Sequence, residues 1–327
     1  MHPGGEARPR VVVILAFPGV LGLDVVGPLE VFAMANRFGA RPEYATSVVS
    51  MAGGTLAASS GLAMVTEPAG GVAGPVDTVM VAGGYHLRPA MEDADLARWL
   101  VRTAGSARRV TSVCSGAMLL ARAGLLDGRR ATTHWSLCEV LATHFPSVEV
   151  QTDRIYVRDG EVWTSAGVTA GMDLALALVE NDHGPEIAMA AAREMVVLLP
   201  RPGGFPQISA QLAVPRPLRE PVRDVVAFIA EHPGADLSVP ALAARCAMSV
   251  RTFSRTFRRE TGTTPAAFVQ ASRVQTARRL IETSDATFDD IARRCGFGTA
   301  ETMYRTFQRT VGTTPGRYRP VSGGRQG

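Results

Sequence analysis

Between residues 10 and 200, short apolar runs alternate with segments of helical periodicity. Residues 11–16 form a β-branched run that suits a buried strand, and 27–37 carry apolar positions at helical spacing. Residues 78–82 end in Gly83-Gly84, and 109–113 run straight into the helical pattern of 115–123. This strand–helix rhythm predicts an α/β domain, with a mainly parallel sheet sandwiched by helices. The rhythm stops at six prolines (200, 202, 206, 215, 217, 221) and Gly203-Gly204, a composition that neither helices nor central strands tolerate.

Beyond that break the pattern is all helical, and it repeats. Residues 242–265 align with 291–315: Cys246 matches Cys295 at an offset of 49, whereas Phe257 matches Phe307 at an offset of 50. One residue is therefore inserted in the turn of the second copy. Each copy reads as helix, short turn, helix. The first has helix 239–246, turn 247–249 with Ser249 as N-cap, and helix 250–261. The second has helix 288–295, turn 296–298 and helix 300–311, and residues 265–283 join the copies as a further helix.

Charge divides the chain at the same place. The 34 basic residues are all arginine, which together with abundant Ala and Gly reads as GC-rich genome composition. Residues 1–205 hold 16 Arg against 20 acids, net −4, while 206–327 hold 18 against 10, net +8. An acidic part and a basic part point to nucleic acid as partner of the second only. The apolar run 11–26 is broken by Pro18 and Asp24, so a membrane span is not expected. Two arginines precede that run, but no small-residue cleavage site follows it, which argues against a signal peptide. Four cysteines without a CxxC pair form neither a disulfide framework nor a zinc signature. A soluble cytoplasmic protein without metal or cofactor is the expectation.

In the basic part, Phe253 and Phe257 lie one helical turn apart and face inward. That leaves Arg251, Ser254, Arg255 and Arg258 toward the outer face. In the second copy Met303 and Phe307 face inward, and Glu301, Tyr304 and Arg305 project. Such helices suit the major groove, where Arg pairs with guanine and Glu accepts from cytosine. A bundle with a solvated basic face is the plainer reading of any single arginine. The repeat, the turn chemistry and the +8 balance favour a double-stranded DNA reader. Cys246 and Cys295 fit as packing residues. The strings LAARCAMSVRTFSRTFRRETGTTP and IARRCGFGTAETMYRTFQRTVGTTP resemble the AraC/XylS DNA-binding domain. That resemblance implies base contacts from Arg251, Ser254 and Arg255, then from Ala300, Glu301 and Arg305, and the outer-face position of Arg258 adds it to the DNA-binding set.

In the acidic part, Val113-Cys114-Ser115-Gly116-Ala117 places a thiol at a strand-to-helix turn. A nucleophile elbow needs a small residue such as Gly116 there, and a helix N-terminus favours thiolate. A small buried cysteine before a helix fits the same residues. His134, twenty residues downstream, reads either as its partner or as a structural histidine. With Asp24, Gly83 and Gly84, and with the strings GLLDGRRATTHW and WTSAGVTAGMDLAL, this part resembles the ThiJ/PfpI superfamily. The resemblance implies a flavodoxin-like fold over 10–200 with Cys114 at the elbow, His134 near it, and Asp24 at the acidic position that contacts the thiol or its ligand. No His follows the cysteine directly and no late His-x-Glu is present, so peptidase and amidotransferase activity are not expected.

The succession of the two domains resembles the GlxA family of transcriptional regulators. It implies a non-enzymatic, ligand-responsive activator that works as a homodimer with RNA polymerase. A small, nitrogen-containing effector would be held by Asp24, Gly83, Gly84, Cys114, Ser115 and His134. A thiol-dependent hydratase or hydrolase, or redox sensing at Cys114, is the alternative. The expected organisation is a disordered start (1–9), a sensing domain (10–200), a Pro-rich linker (201–218), a DNA-binding domain (219–320) and a disordered tail (321–327).

Overall fold

The computed structural model describes residues 8–72, 74–197, 201, 203–204, 207–208, 220–311 and 314–318. The expected tail 321–327, nearly all of the expected disordered start and most of the expected linker lie outside the described residues. The chain divides into two compact units, Met1–Gln207 and Ile208–Gly327.

The first unit contains β1 (Arg10–Leu15), α1 (Gly22–Arg37), β2 (Tyr44–Ser50), β3 (Gly54–Ala57), β4 (Ala63–Pro68), β5 (Thr78–Val81), α2 (Arg88–Glu92) and α3 (Ala94–Ser106). It continues through β6 (Arg109–Val113), α4 (Gly116–Arg122), β7 (Arg130–Ala131), α5 (Cys138–His144), β8 (Glu149–Val150), β9 (Tyr156–Asp159), β10 (Val162–Ser165), α6 (Thr169–His183) and α7 (Pro185–Glu194). Among the described residues the main sheet runs β3-β4-β2-β1-β5-β6-β10-β9. Its centre is parallel, with Val13 beside Ser47 of β2 and Val79 of β5. Antiparallel pairing is confined to the β3–β4 and β9–β10 edges.

β1 explains why the run around residue 12 is apolar without alternation. Val12 and Ile14 enter a core beneath α1, α6 and α7, whereas Val13 and Leu15 enter a second core beneath α3 and α4. A strand covered on both faces has no polar side. The sheet is thus sandwiched by helices in the flavodoxin-like manner that the sequence predicts.

Helix α1 begins at Gly22, five residues before the periodic segment seen in the sequence. Pro28 lies inside it and Gly22 and Gly27 interrupt its apolar stripe, which hides the first turns from a periodicity reading. Residues from the start of the Pro-rich segment also fold onto the first unit. Arg201 pairs with Asp173 at 2.7 Å, Ile155 N–H donates to Gly203 O at 3.0 Å, and Gln207 Nε2 donates to Thr133 O at 2.8 Å.

The second unit contains α8 (Glu220–Glu231), α9 (Val239–Arg245), α10 (Val250–Thr261), α11 (Pro265–Thr283), α12 (Phe288–Arg294), α13 (Ala300–Val311) and α14 (Pro315–Tyr318). Each repeat owns a core, one around Phe253 and Phe257 and the other around Met303 and Phe307. Helix α11 ties them together, giving Phe268 and Val269 to the first and Val274, Ala277 and Ile281 to the second. The insertion can be placed by hydrogen bonds. Met248 N–H donates to Ala243 O, as Phe297 N–H does to Ala292 O, so the extra residue follows Phe297. It is Gly298, whose φ of +77° favours glycine.

Candidate functional site

The β6–α4 junction is a strained elbow. Cys114 has φ +56°, an uncommon value for a residue with a side chain, and it is half-buried. Three glycines make room for it. A Cβ on Gly116 would overlap the Val81 carbonyl oxygen, and one on Gly167 would overlap Cys114 itself. A Cβ on Gly83 would come within 2.7 Å of Asp24 Oδ2, Cys114 Cβ and Ser115 N.

Asp24, on the first turn of α1, is fully buried. Its Oδ2 accepts from Gly83 N–H at 3.1 Å and its Oδ1 from Val168 N–H at 2.8 Å. Burial pushes its carboxyl up to about 6 despite those two donors. The Cys114 side chain lies beside the same carboxylate, since a Cβ on Gly83 would reach 2.7 Å from both. Burial and the Asp24 charge push that thiol up to about 12, outweighing the Ser115 donors that favour thiolate. The helix N-terminus therefore does not activate the thiol as the sequence suggests.

Ser115 is also buried. Its hydroxyl donates to Gly84 O and accepts from Gly84 N–H, both at 2.8 Å, locking the elbow to the end of β5. Thr133 Oγ1 donates to Cys114 O at 2.8 Å. His134 follows directly, but its Nδ1 bonds to Ser136 Oγ at 2.8 Å, and burial lowers its pKa. Among the described residues no hydrogen bond joins His134 to Cys114. The structure thus brings Asp24, Gly83, Gly84, Cys114 and Ser115 together and keeps His134 as a neighbour rather than a partner.

Sequence reading missed Gly167, Val168 and Thr133 as members of this site. Val168 has φ +52° and ψ −116° at the N-cap of α6, which turns its N–H toward Asp24, 144 residues away. The string WTSAGVTAG marked the segment without revealing that role. Among the described residues no group of three His, Cys, Asp or Glu side chains could hold a metal ion, and no helix is long and apolar enough to cross a membrane.

In the second unit, α10 and α13 are the exposed second helices of the two repeats. Ser249 Oγ accepts from Thr252 N–H at 3.2 Å, and Thr299 Oγ1 accepts from Thr302 N–H at 3.2 Å, so both helices start alike. Arg251, Arg255, Arg258, Glu301 and Arg305 are exposed, with Ser254 and Ala300 half-buried. Among the described residues none of these side chains is committed to an ion pair or a hydrogen bond. Uncommitted guanidinium groups on exposed helix faces can reach base edges and phosphates.

Residues 9–181 match the DJ-1/PfpI family, and residues 242–320 match a helix-turn-helix domain family. The chain is 32% identical over 286 residues to the HTH-type transcriptional regulator CdhR of Pseudomonas aeruginosa, covering 86% of this chain and 83% of that one. It is 37% identical over 174 residues to an isonitrile hydratase of Pseudomonas putida, covering 53% of this chain and 72% of the hydratase. A ThiJ/PfpI family protein from Pseudomonas syringae has a similar structure, with TM-score 0.55 and 29% identity over 69% of this chain and 93% of that one.

Proposed function

Because this chain belongs to the DJ-1/PfpI family, and to those of its members that are HTH-type transcriptional regulators with an AraC-type DNA-binding domain, we propose that a small effector bound around Cys114 controls how it acts on DNA. The chain is a DNA-binding transcriptional regulator, and its first unit is the PfpI-like sensing domain. The effector crevice is formed by Asp24, Gly83, Gly84, Cys114 and Ser115 at the C-terminal ends of the parallel strands, with His134 on its border. The observation that carries this reading is the state of Cys114. A thiol beside a buried carboxylate, pushed up to about 12 by burial and by that charge, is a wall of a binding site more than a nucleophile.

On DNA, Arg251, Ser254, Arg255 and Arg258 of α10 and Ala300, Glu301 and Arg305 of α13 face the major groove. The exposed, uncommitted side chains of Arg251, Arg255, Arg258, Glu301 and Arg305 support this assignment. The reading includes a small nitrogen-containing metabolite as effector, two copies of the chain acting together, activation through RNA polymerase and a place in the cytoplasm. A thermal-shift screen of amines and amino acids, followed by gel shifts with and without each hit, tests it. A hit that raises the melting temperature of wild type but not of Asp24→Asn, and alters DNA retention, is expected. Hits that stabilise both proteins equally would remove the crevice from the reading.

The similarity to an isonitrile hydratase favours one second reading, thiol-dependent hydration in the same crevice. Turnover of an isonitrile by the full chain, lost in Cys114→Ser, would establish it.

A further inference from the structure

Helices α10 and α13 are alike on their buried sides. At an offset of 50 residues, Phe253 and Met303, Thr256 and Thr306, and Phe257 and Phe307 are all buried. Arg255 and Arg305 are exposed at equivalent positions, as are Arg259 and Arg309. The same scaffold therefore presents two helices in the same register. On the exposed side, one of the differences falls within the first turn, where a recognition helix meets base edges. Arg251 of α10 stands where α13 has Glu301, and both side chains are exposed and uncommitted.

We propose that position 251/301 gives the two recognition helices opposite base preferences, guanine under Arg251 and cytosine under Glu301, so that the binding site is an ordered pair of unlike boxes. This rests on the reading of α10 and α13 as groove-binding helices. The chemistry follows from the base edges. Guanine offers two acceptors, N7 and O6, which a guanidinium spans with two donors. A carboxylate can only accept and is repelled by phosphates, so it needs a donor edge opposite it. Cytosine presents its N4 amino group alone, whereas adenine places the N7 acceptor beside its amino group, where it repels a carboxylate. Arg255 and Arg305 keep the same guanine preference one turn further along, which holds the two boxes in a common frame.

Glu301 also lies in the first turn of α13, where a negative charge favours the helix start. That role leaves base preference untouched, and the test separates the two. The full-length protein selects duplexes from a randomised DNA pool at fixed salt, as wild type, Glu301→Arg, Glu301→Gln, Arg251→Glu and the double exchange Arg251→Glu/Glu301→Arg. Wild type is expected to enrich two unlike boxes. Glu301→Arg should convert one cytosine to guanine, changing the preference at that position by roughly ten-fold. Glu301→Gln should flatten the cytosine preference alone, and it carries the test if the arginine variant melts early. The double exchange should swap the guanine and the cytosine between the two boxes. Unchanged enrichment in both Glu301 variants overturns the proposal, including the case where only the melting temperature falls. Arg255→Ala and Arg305→Ala distinguish the failures. If they alter the boxes while Glu301 variants do not, only this inference falls. If they too change nothing, or wild type enriches no sequence, the reading of α10 and α13 as base readers falls with it.

Discussion

Asp24 and Cys114 meet at Gly83 in the sensing unit, where a Cβ on that glycine would lie 2.7 Å from both Asp24 Oδ2 and Cys114 Cβ, and the carboxylate charge raises the pKa of the thiol. Asp24 is fully buried on α1, the thiol sits at the β6–α4 elbow, and Gly83 and Val168 N–H groups hold the carboxylate between them. The thiol stays protonated because two effects agree: burial disfavours thiolate, and so does the carboxylate.

Removing the carboxylate charge should therefore free the thiol. In Asp24→Asn, alkylation of Cys114 by iodoacetamide at pH 8 is expected to be several-fold faster than in wild type. The wild-type thiol, pushed up to about 12, should react slowly below pH 10. Equal rates in both proteins would remove Asp24 as the cause. Mass spectrometry assigns the label to Cys114 rather than to Cys138, Cys246 or Cys295.

The raised carboxyl has a signature in stability. Asp24 shifts from 3.8 to about 6 on folding, so between these values the folded chain holds a proton that the unfolded chain releases. Wild-type stability, measured relative to Asp24→Asn, should be greatest below pH 4. It should fall as pH rises to about 6 and stay level above, by about 3 kcal/mol in all. Denaturant unfolding of both proteins at pH 4, 5, 6 and 7 measures it, and taking the difference cancels other titrating groups. A flat difference would mean that Asp24 is ordinary.

Gly116 carries the elbow mechanically. Its missing Cβ leaves space that the Val81 carbonyl occupies, and backbone cannot retreat from a methyl group as a flexible side chain can. Gly116→Ala should cost about 3 kcal/mol or more. Gly105→Ala, whose Cβ would meet nothing within 4 Å, is the matched control and should stabilise α3 slightly.

A buried network at the other end of the parallel strands makes a separate prediction. Arg109 Nη2 donates to Asp182 at 2.6 Å, with both side chains about 1% exposed, and Arg108 and Tyr44 also bond to Asp182. Arg109→Met should destabilise by about 3–5 kcal/mol, because it withdraws a partner from a buried charge. These bonds hold the Asp182 carboxyl down at about 2, so the stability they lend is present above pH 4 and lost as pH falls through 2.

On DNA, Arg255→Ala should weaken binding to the chain's own upstream region by about 1–3 kcal/mol at one base pair, read by gel shift and footprint. Unchanged binding would take α10 out of base reading.

The sequence by itself determined both domain types, the parallel core strands, the duplicated helix-turn-helix units and the exposed arginines. These are local or periodic properties: a run covered on both faces shows as unbroken apolar residues, and a repeat aligns with itself. Glycines at Gly83, Gly84 and Gly116 marked the elbow for the same reason. Tertiary structure alone decided the protonation of Cys114. The thiol, Asp24 and Val168 lie far apart in sequence, and pKa values depend on burial and on which charges meet. It also decided that His134 turns to Ser136, and that Arg201, Gly203 and Gln207 bond to the sensing unit. Periodicity says which face of an element is buried, while only the assembled fold says which polar groups meet there.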